Sequence, residues 1–230
     1  MTQLKAVRVQ KITAAIGAAA VVGALVGIYA THDTGSVANT NTFQGQVQSW
    51  FDSAAKGLAS KSVEDHLNAV GTLRTIIERS QADQQRAVAE LAAFIRGTAP
   101  ITHPTTYPEP SDCSAFGVAE SIQDALAAIS KRDPKAHIAV NLDRAELSGA
   151  DLRNLNLHGV NLAGADLHCA NLNKTDFNGA NMDRADLTDT KLVGTQFAGT
   201  QFAGARVNDT SRFCPNHQPR HPDYRYVCVP

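Results

Sequence analysis

The residues best suited to chemistry lie near the end of the chain, where Cys214, His217, His221 and Cys228 follow one another. Two thiolates and two imidazoles can bind tetrahedral zinc, although the spacing C-x2-H-x3-H-x6-C matches no established zinc pattern. In an oxidising compartment the two cysteines would instead close a disulfide, worth roughly 3 kcal/mol in a loop of this size. We favour the disulfide, and free thiols and a zinc site remain open alternatives.

Carboxylates are the second group that suggests chemistry, with Asp166, Asp183 and Asp186 as candidate pairs. A hydrolytic pair needs a pocket that holds the pKa values of its two carboxyl groups apart. The sequence suggests no such pocket, and it contains no Ser/His/Asp order, phosphate loop or nucleotide-binding fingerprint. We therefore expect a protein that is not an enzyme and has no cofactor.

Those carboxylates belong to residues 140–209, where a five-residue pattern repeats fourteen times without an insertion. The large apolar centres of the units are Leu142, Leu147, Leu152, Leu157, Leu162, Leu167, Leu172, Phe177, Met182, Leu187, Leu192, Phe197, Phe202 and Val207. A small or apolar residue lies two positions before each centre, on the same side of an extended backbone. Seven units also end in Gly, which bends a chain at little steric cost. The pattern predicts a solenoid whose coils stack through backbone hydrogen bonds.

Several units carry a family resemblance. Ala150-Asp151-Leu152, Ala165-Asp166-Leu167 and Ala170-Asn171-Leu172 resemble the A(D/N)LXX signature of pentapeptide-repeat proteins. The resemblance implies a right-handed quadrilateral β-helix with four units per coil. Fourteen units then make about three and a half coils, a rod about 17 Å tall at ordinary strand spacing.

Four units per coil place residues twenty positions apart in one column. Leu157, Phe177 and Phe197 form a predicted core column of this kind. An outward column of amides contains Asn141, Asn161, Asn181 and Gln201, which can bond along the stack. Cys113 and Cys169 receive no assignment, and Cys169 is expected to be exposed at a corner.

A second outward column is acidic, and we predict that it is an interaction face. Its acids are Glu146, Asp166, Asp186, Asp189 and Asp209, with Arg206 and His168 beside them. It could be a solvated surface, a docking face for a basic protein, or an imitation of DNA of the kind known for some pentapeptide-repeat proteins. Duplex DNA carries one charge about every 1.7 Å, whereas the repeat holds only nine acids and six bases. DNA mimicry is therefore disfavoured.

The start of the chain predicts a membrane anchor. Residues 1–11 form a basic tip without acids, and residues 12–30 are uncharged; as a helix they would span about 28 Å. A cleaved secretory signal is the alternative, with Ser36-Val37-Ala38 as its cleavage site, but these residues lie far from the apolar run. The positive-inside rule places the residues after the anchor on the other side of the membrane, which predicts a single-pass protein of the cell membrane with an extracytoplasmic soluble part.

The remaining segments complete the predicted layout. Residues 31–42 read as a linker, 43–98 as an all-α adaptor with helices near 44–59, 63–79 and 82–96, and 99–112 as a Pro-rich loop. Residues 113–133 predict a helix, from about 114 to 132, that caps the first coil, and residues 210–230 a Cys-bracketed tail that caps the last. Gly45-Gln46-Val47 and the segment at 91–96 are similar to helical segments preceding pentapeptide repeats in actinobacterial membrane proteins.

The net charge does not indicate a nucleic-acid-binding protein, since 21 basic residues balance 22 acidic ones in a chain of 230 residues. The sequence therefore predicts a membrane-anchored, non-enzymatic structural or protein-interaction module whose partners are the membrane and other proteins. The alternative is a cytoplasmic DNA mimic or topoisomerase-type regulatory protein.

Overall fold

The computed structural model of the chain describes residues 36–98 and 113–207. Two compact units, Met1–Ser49 and Trp50–Pro230, make up the chain, and residues 36–49 are the described part of the first. None of the described helices is long and apolar enough to cross a bilayer. The predicted tip, anchor, Pro-rich loop and C-terminal tail lie outside the described residues and stay predictions.

Within residues 36–98 and 113–207, four α-helices come before the repeat. They are α1 (Ser36–Leu58), α2 (Val63–Arg79), α3 (Gln84–Thr98) and α4 (Glu120–Ile129), and a single 3-10 turn spans Cys113–Ala115. Helix α1 begins at Ser36, so residues 36–42 of the predicted linker are helical. That stretch contains neither Gly nor Pro, and nothing in it stops a helix from extending.

Helix α2 has the bounds that its sequence predicts. The side chain of Ser62 accepts a hydrogen bond from the backbone N–H of Asp65 at 3.4 Å and so caps the first turn. An apolar stripe on α2, formed by Val70, Leu73 and Ile77 among others, is buried. Helices α2, α3 and α4 pack on one another through such stripes.

The repeat forms a solenoid with a coil of twenty residues. Parallel bridges join residues twenty positions apart, from Asn141 with Asn161 to Asp186 with Arg206. Each rung is an isolated bridge rather than a longer strand, because every unit bends after its two extended residues. This spacing confirms four five-residue units per coil.

The bend of each unit is a turn closed by a backbone hydrogen bond. In the first complete unit, the N–H of Ala145 donates to the carbonyl of Leu142 at 3.2 Å, and Arg144 between them has a φ of 52°. Gly takes this left-handed position in seven units, whereas six units place a residue with a side chain there. Such residues are strained by about 1–2 kcal/mol each, so packing of the coils must hold them.

The Asn or Asp of the signature serves the same turn. Its side chain accepts a hydrogen bond from the backbone N–H two residues later, as Asn161 does from Ala163 at 3.2 Å and Asp176 from Asn178 at 2.9 Å. The last coil lacks these acceptors. There the side-chain oxygen of Asn173, one coil earlier, accepts from the N–H of Val193 at 2.7 Å. The backbone donors thus remain satisfied.

The core column is present as predicted. Leu157 and Phe177 are fully buried, and the rings of Phe177 and Phe197 stack with centroids 5.8 Å apart and planes 10° from parallel. Thr175 also points inward, and its hydroxyl donates to the carbonyl of Leu152 at 2.7 Å. A polar residue can therefore occupy an inner position without leaving an unpaired group.

Side chains of the helical part bond to the polar groups at the start of the solenoid. The side-chain amide of Gln123 in α4 donates to the carbonyl of Asp151 and accepts from its N–H at 3.0 Å. In α3, Gln85 makes the same pair of bonds with Ala139 at 3.3 and 3.1 Å. Each amide thus offers the donor and acceptor that a peptide group of a preceding coil would offer.

Arg132, just after α4, binds two further carbonyls at this edge. Its guanidinium donates to the carbonyl of Asn156 at 2.8 Å and to that of His158 at 2.5 Å. The side chain is only 5% exposed. Burial lowers the pKa of Arg132, and the charge of Asp176 raises it in part.

We predict that Arg132→Met lowers the free energy of unfolding by about 1–3 kcal/mol, because the two carbonyls lose their hydrogen-bond donors while they remain buried. Urea unfolding of the purified protein measures this change. Arg153→Met is the matched control, since Arg153 pairs with Asp151 at the surface and its loss should leave stability nearly unchanged. Equal losses in both variants would contradict the prediction.

Candidate functional site

The acidic column has the predicted register, but its exposure differs from the expectation. Glu146, Asp166, Asp186 and Arg206 follow one another through successive parallel bridges. Asp166 is 6% exposed and Asp186 is 8% exposed. The expectation that these two carboxylates point freely outward is therefore wrong.

The reason is that each carboxylate folds back onto its own unit. Asp166 accepts a hydrogen bond from the N–H of His168 at 2.8 Å. Asp186 accepts from both the N–H and the hydroxyl of Thr188, at 3.0 and 2.8 Å, and pairs with Arg206 at 2.9 Å. Within the predicted face, these two acids therefore stabilise turns, and little of their charge is exposed to solvent.

The segment before α4 covers this face. Cys113 forms a disulfide with Cys169, and the ring of Phe116 lies edge-on to the ring of His168 with centroids 4.8 Å apart. A Cβ at Gly149 would lie 2.5 Å from the carbonyl carbon of Phe116, so only Gly permits this approach. The predicted start of the helix at residue 114 is consequently wrong, because residues 113–119 follow the solenoid surface instead.

Cys169 is also buried, at 7% exposure, where the sequence predicted an exposed corner. The corner position itself is confirmed by its φ of 60°. Its neighbour His168 is completely buried. The segment that carries Cys113 and Phe116 contacts both residues.

Polar side chains around His168 form one connected network. Its Nδ1 lies 2.8 Å from the hydroxyl of Thr188 and 3.8 Å from a carboxylate oxygen of Asp189. Its Nε2 lies 3.4 Å from the sulfur of Cys169. Because the Thr188 hydroxyl donates its only hydrogen to Asp186, we assign the imidazole hydrogen to Nδ1. The lone pair of Nε2 then faces the sulfur.

Sequence reasoning missed this network, although part of its signal was present. Residues 149, 169 and 189 share one corner column, and residues 168 and 188 share the next, so the twenty-residue spacing already brings His168 and Cys169 beside Thr188 and Asp189. The partner Cys113 lies outside the repeat, and no periodicity places it. The structure thus brings together Asp166, Asp186 and Asp189 of the predicted face.

Other predicted site residues lie outside the described part of the chain. These are Asp209 of the acidic face and the tail residues Cys214, His217, His221 and Cys228. The Cys214–Cys228 disulfide and the alternative zinc site therefore stay predictions.

Comparison with known proteins identifies the repeat. Residues 141–179 and 180–211 match the sequence model of pentapeptide repeats, in eight copies. No match was found among curated proteins.

Solved structures of pentapeptide-repeat proteins are also similar. One from the thylakoid lumen of Arabidopsis thaliana is 33% identical over 30% of this chain and 50% of its own, with a TM-score of 0.28. HetL of Nostoc, involved in heterocyst differentiation regulation, is 34% identical over 29% of this chain and 33% of its own, with a TM-score of 0.23. Rfr23 of Cyanothece is 30% identical over 31% and 49%, with a TM-score of 0.21. The chain thus spans half or less of the length of these proteins.

We predict that removing the Cys113–Cys169 disulfide by the double substitution Cys113→Ser and Cys169→Ser costs roughly 4 kcal/mol of unfolding free energy, given the separation of 56 residues. Urea unfolding without reductant measures the loss. Both proteins carry Cys214→Ser and Cys228→Ser, so that the tail contributes no disulfide, and the parent treated with dithiothreitol is the control, which should fall to the level of the variant. If reduction leaves the parent unchanged, the prediction fails.

Proposed function

We propose that this chain, whose residues 141–211 are pentapeptide repeats, is a non-enzymatic structural or protein-interaction module held at the cell membrane by residues 12–30. One observation carries the proposal. The signature Asn and Asp side chains of the described coils accept hydrogen bonds from their own turns. A solenoid whose turns are satisfied by its own side chains is suited to act as a rigid body that presents columns of side chains at fixed spacing.

The surroundings of the carboxylates support a function without catalysis. Asp166 and Asp186 are buried against backbone turns, whereas a catalytic pair needs a cleft that admits substrate. Two grooves among the described helices have volumes of about 360 and 370 Å³. Their lining residues come from α1, α2, α3 and the residue after α1, and include none of the repeat.

The predicted acidic column is our proposed docking face for a basic protein. Glu146 is half-buried, the side chain of Asp189 is 12% exposed, and Asp166 and Asp186 are buried in the same column as Glu146. Asp209 is assigned to the same face from the sequence. A field from carboxylates in a protein surface attracts a cationic partner and repels nucleic acid.

The burial of these acids also argues against the DNA-mimic alternative. Mimicry requires a dense array of exposed negative charges, since duplex DNA carries one about every 1.7 Å. Asp186 is instead paired with Arg206 at 2.9 Å. The DNA-mimic alternative therefore has less support than a docking face for a basic protein.

The proposed location outside the cytoplasm has support from a second observation. Residues 12–30 are uncharged and come after a basic tip, which favours export of the residues beyond them. The Cys113–Cys169 disulfide is of the kind that persists in oxidising compartments.

For the docking face, we predict that replacing Asp166, Asp186 and Asp189 together by Asn abolishes crosslinking to the partner. Asn preserves the turn acceptor, as Asn161 and Asn181 show in their own units, and tolerates the positive φ at position 189. Crosslinking in native membranes, with subsequent identification of the neighbours, measures the effect.

Asp143, Asp151 and Asp176 lie in other columns, and their joint replacement by Asn is the matched control for a loss of three charges. Recovery of the same neighbours from both triple variants would remove the acidic face from the proposal.

For the location, we fuse after Pro230 a reporter enzyme that is active only when it folds outside the cytoplasm. We predict that this fusion is active. The physical reason is the retention of the basic tip on the cytoplasmic side. An otherwise identical fusion with Lys5, Arg8 and Lys11 replaced by Glu should weaken this orientation. Activity of a cytoplasm-specific reporter on the unmodified chain would refute the proposed topology.

A further inference from the structure

Four metal-binding side chains converge beneath the segment that covers the solenoid. The donor atoms of His168, Cys169 and Asp189 all lie within 4.8 Å of one another. Cys113 forms a disulfide with Cys169, so the sulfur of Cys113 lies directly beside the sulfur of Cys169. Two sulfurs, one imidazole nitrogen and one carboxylate oxygen are a donor set that suits tetrahedral Zn²⁺.

The network around His168 prepares its ring for a metal. Nδ1 is held by the hydroxyl of Thr188 at 2.8 Å, and that hydroxyl is held in turn by Asp186 at 2.8 Å. The other nitrogen, Nε2, therefore carries the lone pair and faces the sulfur of Cys169 at 3.4 Å. Metal-binding histidines are oriented in this way by a hydrogen bond at the second nitrogen.

We propose that Cys113, His168, Cys169 and Asp189 form a redox-controlled metal site that holds a disulfide when oxidised and binds Zn²⁺ when reduced. A dithiol supplies two electrons and two protons, breaks the S–S bond and closes to its own cyclic disulfide. Zn²⁺ then displaces the two thiol protons and takes both sulfurs and Nε2 of His168, and the carboxylate of Asp189, which lies 3.8 Å from Nδ1 of the same ring, turns to supply the fourth donor.

The burial of the donors fits both states. His168 and Cys169 lie at 0% and 7% exposure, so water does not compete for the ion. Cys113 is half-buried at the covering segment, and the side chain of Asp189 is 12% exposed at the corner, which leaves a route for the metal. In the oxidised state the disulfide links that segment to the solenoid, and in the reduced state the bond from Zn²⁺ to the sulfur of Cys113 does so.

The test uses the full chain with Cys214→Ser and Cys228→Ser, so that the tail contributes no thiols. Protein reduced with dithiothreitol and freed of it by gel filtration without oxygen is titrated with Zn²⁺ against a chromogenic chelator. We expect one Zn²⁺ per reduced chain and none per oxidised chain. Co²⁺ should give the thiolate charge-transfer bands of a tetrahedral site.

Three variants of this chain separate the site from bulk effects, and far-UV circular dichroism verifies that each remains folded. Cys113→Ser should abolish binding of one Zn²⁺, and Thr188→Val should weaken it about 10–100-fold, because it frees the ring of His168. His158→Gln changes an exposed histidine elsewhere on the solenoid and should leave binding unchanged. Equal binding by oxidised and reduced chains, or undiminished binding by the folded Cys113→Ser variant, would overturn the proposal.

Discussion

Every backbone N–H and C=O buried between stacked coils needs a hydrogen-bond partner, and the rest of the structure depends on this requirement. Within the solenoid the partner lies one coil away, as in the 2.7 Å bond from Leu142 N–H to the carbonyl of Asn161. At the first coil no preceding coil exists. Gln85, Gln123 and Arg132 supply the missing donors and acceptors there, so the helical part completes a hydrogen-bond pattern that the repeat alone leaves open.

The same requirement explains the choice of residues within a unit. An inner Thr is acceptable because its hydroxyl reaches a carbonyl of the preceding coil, as Thr195 reaches Leu172 at 2.7 Å. A signature Asn or Asp is favoured because it satisfies the turn that comes after it. The acidic face is therefore largely a by-product of turn chemistry, and its charge is available to a partner only where the side chains remain partly exposed.

The features that could be predicted from the sequence are those that repeat. The five-residue period brings Phe177 onto Phe197 and Asp166 onto Asp186, because stacking converts sequence spacing into spatial columns. The Cys113–Cys169 disulfide has no such basis, since Cys113 lies in a segment without periodicity. Burial of His168 was unpredictable for the same reason. The aromatic ring that covers it, that of Phe116, comes from outside the repeat.

The side-chain acceptors that serve the last coil lie one coil earlier, and this spacing has an evolutionary consequence. Asn173 serves the N–H of Val193, and Asn178 that of Ala198, each across one full coil. Gain or loss of a single unit between the partners would move every later residue to the adjacent face and separate these pairs. Gain or loss of four units would instead keep every later residue in its own column, so that a residue of the same column again follows twenty positions later. The length of this solenoid is therefore free to drift only in whole coils, and a reading-frame-preserving deletion of fifteen nucleotides is more disruptive than one of sixty.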